Sequence, residues 1–196
     1  MKKLFFLIPV VLITLNIYAV SPLDKGDKVP NFSATDENGE AWELSDQRAD
    51  YFVIYFYPAA FTGGCTKQAC SYRDHVPAFK LLNAQVIGVS GDDHENLKAF
   101  KAFHNLNFTL LSDADGKIAE LFGVPTREGS TIEKEVDGQM LQLTKGVTIS
   151  RWTYVVDRNG KLVYKDDDVQ ASTDPEVVLK AITTHNGRKS CGQRQR

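Results

Sequence analysis

A chain of 196 residues, 42% of them hydrophobic and 24% charged, is long enough for one well-cored domain and short for two. Its 14 glycines and 7 prolines are too few for a collagen-like or low-complexity chain, and three cysteines cannot staple a disulfide-dense scaffold. A formal net charge of −2 argues against nucleic-acid binding, which needs a basic excess to neutralise phosphates.

The N-terminal segment stands apart from the fold. Met1-Lys2-Lys3 is a basic start, and Leu4 to Val20 is apolar except at Pro9, Thr14 and Asn16. The run is shorter than the roughly 20 apolar residues of a membrane span. It ends in Ile17-Tyr18-Ala19, which suits cleavage by a secretory peptidase after Ala19. The expected organisation is a signal peptide over residues 1–19, a domain over 20–185 and a flexible polar, basic tail over 186–196. An uncleaved membrane tether is the alternative. Cleavage leaves 21 basic and 25 acidic residues, a net charge of −4. A periplasmic or secreted location is oxidising, so an exposed thiol there serves chemistry or becomes a disulfide.

Strand-like and helix-like runs then alternate. Phe32 to Leu44 reads as a hairpin turning at Asp36-Glu37-Asn38-Gly39. Tyr51 to Tyr57 is apolar at every position and stops at Pro58, the pattern of a strand buried on both faces. Ala84 to Ser90 is similar. Leu97, Phe100 and Phe103 recur at helical spacing after Asp92-Asp93, which can cap that helix. Phe108–Leu111 predicts a short strand and Lys117–Phe122 a short helix. Ser130 to Ser150 alternates polar and apolar residues around Asp137-Gly138, as an added hairpin does; it serves as a solvated ribbon or as a partner-docking flap. Arg151–Asp157 and Lys161–Lys165 flank the turn Arg158-Asn159-Gly160, and Asp174-Pro175 opens a last helix through Ile182. The predicted class is α/β, a mixed sheet flanked by helices.

Chemistry concentrates in Tyr57-Pro58-Ala59-Ala60-Phe61-Thr62-Gly63-Gly64-Cys65-Thr66-Lys67-Gln68-Ala69-Cys70. A buried strand ends, a loop of small residues follows, and helix-forming residues begin at Cys65. A cysteine on a helix's first turn meets unpaired N–H groups and the positive end of the dipole, both of which favour the reactive thiolate. Gly63 and Gly64 permit close approach of a small substrate, and the Thr62 hydroxyl can hydrogen-bond a sulfur or a bound oxygen. Cys65 and Cys70 on one regular helix have Cα atoms roughly 8–9 Å apart, beyond the roughly 7 Å a disulfide spans. A bond between them therefore requires that turn to unwind.

Pro58-x-x-x-Thr62-x-x-Cys65 resembles the active-site motif of the peroxiredoxins. Cys70, followed by Tyr72-Arg73-Asp74, is similar to the Q-type branch that includes bacterioferritin comigratory protein. Further collinear segments carry the likeness: Asn107–Asp113, Leu121-Phe122-Gly123-Val124 and Arg151–Asp157. The resemblance implies a thioredoxin-like fold and thiol-dependent reduction of hydrogen peroxide or organic hydroperoxides, without metal or bound cofactor. It implies a peroxidatic role for Cys65 and a resolving role for Cys70, with a dithiol protein of thioredoxin type as reductant. Thr62 would bond the peroxide and the thiolate, Pro58 would shield the pocket, and Arg151 would stabilise the thiolate and polarise the O–O bond. Q-type relatives are commonly monomers.

Two departures from the family pattern matter. Gly63 stands where the family usually has proline, which predicts a looser loop, and the Ser130–Ser150 ribbon is long for the family. Cys191 reads as a free thiol or an incidental bridge, and His75, His94, His104 and His185 show no ligand-like clustering. Gln68, one turn after Cys65, can orient the loop. The rival readings are an exported thioredoxin-fold Cu(I) carrier and a disulfide-handling protein, although such proteins space their cysteines more closely.

Overall fold

A computed structural model describes residues 21–136 and 138–193, with side chains as far as residue 187; the expected signal peptide lies outside the described residues. In chain order the elements are β1 (Ser33–Asp36), β2 (Ala41–Glu43), one 3-10 turn (Leu44–Asp46), β3 (Tyr51–Phe56), α1 (Gly63–Leu81), β4 (Ala84–Ser90) and α2 (His94–His104). They continue with β5 (Thr109–Ser112), α3 (Lys117–Phe122), β6 (Thr126–Val136), β7 (Gln139–Ile149), β8 (Thr153–Asp157), β9 (Leu162–Asp166) and α4 (Asp174–Gln193). Among the described residues no helix is long and apolar enough to cross a membrane.

Seven strands form a mixed sheet in the order β2-β1-β5-β4-β3-β8-β9, with β3, β4 and β5 parallel and the other neighbours antiparallel. The unbroken apolar run of β3 explains its inner position: all six residues are buried. Tyr51, Val53 and Tyr55 pack with α1, α2 and α4, while Phe52, Ile54 and Phe56 pack with α3 and the N-terminal hairpin. Two apolar layers thus cover the sheet, as a strand without polar alternation demands.

Helix α1 carries the site. Its buried stripe of Cys65, Ala69, Tyr72, Val76 and Phe79 follows helical spacing and lies on the sheet. Pro77, inside the helix, cannot donate to the Arg73 carbonyl; Asn107 Nδ2 supplies that bond instead, at 3.2 Å. Asp93 caps α2 through Asn96 N at 2.8 Å, whereas Asp92 turns inward and does not cap. Leu97 and Phe100 carry the packing of α2, and Phe103, expected on that face, is 47% exposed.

Several boundaries differ from those expected. Helix α1 starts at Gly63, two residues before Cys65, and Arg151 and Trp152 precede β8 rather than opening it. Helix α4 continues past Ile182 to Gln193, through most of the stretch expected to be a flexible tail. The last turns before that stretch and its first residue, Asn186, are tied down. The Tyr51 hydroxyl donates to Asn186 Oδ1 at 2.5 Å and lies 3.0 Å from His185 Nδ1, and the Thr183 and Thr184 hydroxyls bond carbonyls one turn back.

The added hairpin is real and longer than expected, pairing from Thr126↔Ile149 to Val136↔Gln139 as its own two-stranded sheet. It is no freely solvated ribbon. Leu143 is buried, and Val136 and Leu141 pack on the α1–α2 side of the core. Gly146 N bonds Gly91 O at 2.9 Å, a contact only glycine permits: a Cβ on Gly91 would lie 2.0 Å from Val147 O.

Candidate active site

The loop from Tyr57 to Thr62 carries the chain from β3 into α1, so Cys65 stands on the first helical turn above the sheet's end. Its sulfur is buried, with the residue only 1% exposed, while Thr62, Gly63 and Gly64 beside it are exposed. Access to the sulfur is therefore through the glycine-lined lip. Cys70 is half-buried on the same unbroken helix, and both thiols are free. Five residues along a helix place the two side chains about 140° apart around the axis.

Arg151, distant in sequence, reaches this sulfur from the segment just before β8, the strand paired with β3. Its Nη2 donates to Cys65 Sγ at 3.3 Å, and its Nη1 donates to Gln68 Oε1. One guanidinium edge thus holds both the sulfur and the residue one turn further along α1, the two-pronged geometry that a lysine cannot reproduce. Gly64 eases the approach, because a Cβ there would crowd Nη2 at 3.3 Å. Gly63 has no such neighbour: a Cβ would meet nothing within 4 Å. The expected closeness to substrate is thus, at Gly64, closeness to the arginine.

Gln68 is in turn held from behind. Its Nε2 donates to Asp174 Oδ2 at 2.7 Å, and the same oxygen accepts from Tyr72 OH at 2.7 Å and Thr153 Oγ1 at 2.8 Å. These donors fix the amide so that its oxygen faces Arg151. Burial pushes the Asp174 carboxyl up from its ordinary range, and the three donors oppose that shift. Tyr72 stacks on Tyr55 at 4.6 Å, and burial raises both phenols well above the ordinary range, so neither is a ready proton donor. The line Asp174–Gln68–Arg151–Cys65 alternates carboxylate, amide, cation and sulfur.

Thr62 departs from expectation. Its hydroxyl donates to Ala59 O at 2.9 Å, so its proton is used inside the loop, and among the described residues the sulfur's hydrogen-bond donor is Arg151. Pro58 is half-buried where the chain leaves β3. The fold therefore brings Cys65 and Arg151 into contact, sets Thr62 at the helix cap and Pro58 at the loop's start, and keeps Cys70 apart. The Cys191 side chain lies outside the described residues. Asp92, read as a capping residue, instead accepts from Ala60 N and from Ser90 Oγ, both at 2.8 Å, and pins the loop. Asp174, read as opening the last helix, does so and is also the buried hub. Gln68 carried one usable signal, three residues from Cys65 on the same helix face; Asp174 carried none. Among the described residues no group of three or more His, Cys, Asp or Glu side chains gathers to hold a metal.

Comparison with known proteins agrees with this geometry. The AhpC/TSA family model matches residues 25–165. The chain is 39% identical over 166 residues to Peroxiredoxin Bcp of Escherichia coli K12, covering 85% of this chain and 99% of that one. It is 42% identical over 142 residues to the chloroplastic Peroxiredoxin Q of Oryza sativa subsp. japonica, covering 72% of this chain and 58% of that one. Among solved structures, Peroxidoxin BcpB of Mycobacterium tuberculosis superposes with a TM-score of 0.68 at 28% identity, over 82% of this chain and 96% of that one. The bacterioferritin comigratory protein of Xanthomonas campestris, described for its alkyl peroxide reduction activity, superposes at 0.65 with 26% identity, over 79% and 91%. Neither the copper-carrier nor the disulfide-handling reading is favoured by these matches. A thioredoxin-like sheet, a cysteine at the mouth of α1 and this set of relatives together make the chain a member of the AhpC/TSA family, on its Q-type peroxiredoxin branch.

Proposed function

We propose that this peroxiredoxin is an exported, monomeric thiol peroxidase in which Cys65 attacks hydroperoxides and Cys70 resolves the product. The observation that carries the reading is the Arg151 Nη2–Cys65 Sγ contact of 3.3 Å at the first turn of a helix that also holds Cys70. The guanidinium and the helix N-terminus stabilise the Cys65 thiolate. The thiolate attacks the terminal peroxide oxygen, the O–O bond breaks, and the leaving oxygen takes a proton to become water or alcohol. Arg151 also faces the negative charge that grows on that oxygen in the transition state.

Cys65 is left as a sulfenic acid. The first turns of α1 then unwind, the Cys70 thiol attacks the sulfenic sulfur, and water departs as the disulfide forms. A dithiol protein of thioredoxin type restores both thiols by exchange. Because both sulfurs belong to one chain, a single copy completes the cycle, which supports the monomeric reading. Export rests on the basic start, the apolar run and Ala19.

Mass spectrometry after one equivalent of peroxide tests the assignment. The wild type should show a Cys65–Cys70 link. Cys70→Ser should consume one equivalent and then stop with the dithiol donor present. Cys65→Ser retaining full peroxidase activity would overturn the reading.

A further inference from the structure

The loop before Cys65 is held by an element that the proposed cycle leaves without a part. Phe61, three residues before Gly64, has a φ of +57°, the left-handed region that side-chain-bearing residues adopt only when their surroundings hold them there. Its ring is held by α2, with centroids 5.1 Å from Phe100 and 5.9 Å from His104. Its carbonyl accepts a hydrogen bond from Lys134 Nζ, which projects from β6 near the tip of the added hairpin. The hairpin is itself fastened to the segment entering α2: Thr144 O accepts from Asp93 N at 3.1 Å and from Asn96 Nδ2 at 2.8 Å. Lys134 thus links the strained residue at the head of the site to a second sheet anchored elsewhere.

We propose that Lys134 is a positioning residue that latches the Phe61 carbonyl and so sets how quickly the first turn of α1 unwinds after Cys65 is oxidised. This rests on the reading of Cys65 and Cys70 given above. The sulfenic acid has two fates. It condenses with the Cys70 thiol, forming the S–S bond and releasing water. Alternatively a second hydroperoxide transfers an oxygen to it, giving the sulfinic acid and water or alcohol. The first fate needs the unwound turn and the second needs the intact one. A bond that steadies Phe61 prolongs the intact form, which preserves the Arg151 contact for the next substrate but exposes the sulfenic acid to further oxidation.

Lys134→Met removes the donor while keeping the stem, Lys134→Gln leaves a shorter neutral donor, and Lys134→Arg keeps a cation of similar reach. Two quantities decide the case: the rate of Cys65–Cys70 disulfide formation after a one-equivalent pulse of hydrogen peroxide, and the peroxide concentration that converts half of Cys65 to sulfinic acid. In Lys134→Met the closure rate and the tolerated peroxide concentration should each rise about fivefold or more; Lys134→Gln should lie between, and Lys134→Arg should match the wild type. A residue serving stability alone would lower the melting temperature without moving this partition. Closure and sulfinic yield unchanged, or closure slowed, in a folded Lys134→Met protein overturns the latch. If instead Cys65→Ser still turns over peroxide, it is the underlying assignment that fails.

Discussion

Arg151→Met is the substitution that tests the site most directly, because it removes the cation and keeps much of the side chain's bulk. At 3.3 Å from Sγ the unit-charge interaction spans about 1 kcal/mol in water-like surroundings to about 5 kcal/mol at an effective permittivity of about 20. Cys65 is buried and Arg151 half-buried beside an exposed glycine lip, so an intermediate value of about 2–3 kcal/mol applies. At 1.36 kcal/mol per factor of ten, the second-order rate with hydrogen peroxide should fall about 30- to 150-fold. Stopped-flow measurement of the first turnover, under limiting peroxide, isolates this step from disulfide formation. Arg151→Lys should recover only part of the loss, since a single ammonium cannot serve both Sγ and Gln68 Oε1 in the same fork. A folded Arg151→Met protein whose first turnover stays within threefold of wild type would refute the electrostatic argument.

Two further outcomes follow from the carboxylates. Asp174→Asn keeps an oxygen where Gln68, Tyr72 and Thr153 converge, so its stability and rate should stay close to wild type. Asp174→Ala leaves those donors buried without an acceptor, at about 1–3 kcal/mol each, and should lower the melting temperature by several degrees and slow peroxide reduction by releasing Gln68; equal behaviour of the two variants would sink the hub. Asp113 is buried at the start of α3, accepting from Ile118 N at 2.9 Å and Ala119 N at 2.8 Å, and burial pushes its carboxyl up from 3.8 to about 6. The folded chain therefore binds this proton more tightly than the unfolded chain. Its contribution to stability is present below about pH 4, is lost as pH rises through about 6, and amounts to at most about 3 kcal/mol. Urea titrations from pH 4 to pH 7 should show this slope in the wild type and a shallower one in Asp113→Asn; parallel slopes would refute the shift.

How much of this was legible in the residues depended on how local the cause was. The ends of β4 and α3 were readable to the residue, because apolar runs bounded by Asn83, Gly91, Gly116 and Gly123 carry their own punctuation. Cys65 was readable as a helix-mouth thiol, since strand, small-residue loop and helix lie in one continuous stretch. Arg151 lies 86 residues away, and only the family likeness singled it out; nothing in its neighbours tells a sulfur-facing arginine from one at a strand's edge. Asp174 does open α4 as expected, but its second role was missed, and Asp92 was misread, for a common reason. An acidic residue before a helix satisfies the local capping pattern, and whether it caps or turns inward is decided by donors from distant segments. Here those donors are Tyr72 and Gln68 for one and Ala60 for the other.

The first turn of α1 has two demands placed on it that pull apart. In the proposed cycle, peroxide reduction wants Cys65 fixed against Arg151, and disulfide formation with Cys70 wants the same residue to leave. The change required is an unwinding of the turn: a Cα separation of roughly 8–9 Å has to close to within about 7 Å, and side chains about 140° apart around the axis have to meet. The sequence divides the two demands between neighbours. Upstream, Asp92 holds the Ala60 amide and Lys134 the Phe61 carbonyl, so the loop has fixed points just before the helix. At the helix start stand two glycines with different reasons for being there. Gly64 admits the Arg151 guanidinium, which a side chain would crowd. Gly63 has open space around it and no left-handed φ, so the intact helix does not require glycine at that position. Its effect falls on the unwound state, where glycine has more backbone freedom than any other residue and so favours release. In the proposed cycle, restraint before Thr62 and freedom after it make Gly63 the point where unwinding starts once the Lys134–Phe61 bond yields, while the Asp92–Ala60 bond keeps the loop's start in place for rebuilding the site on reduction.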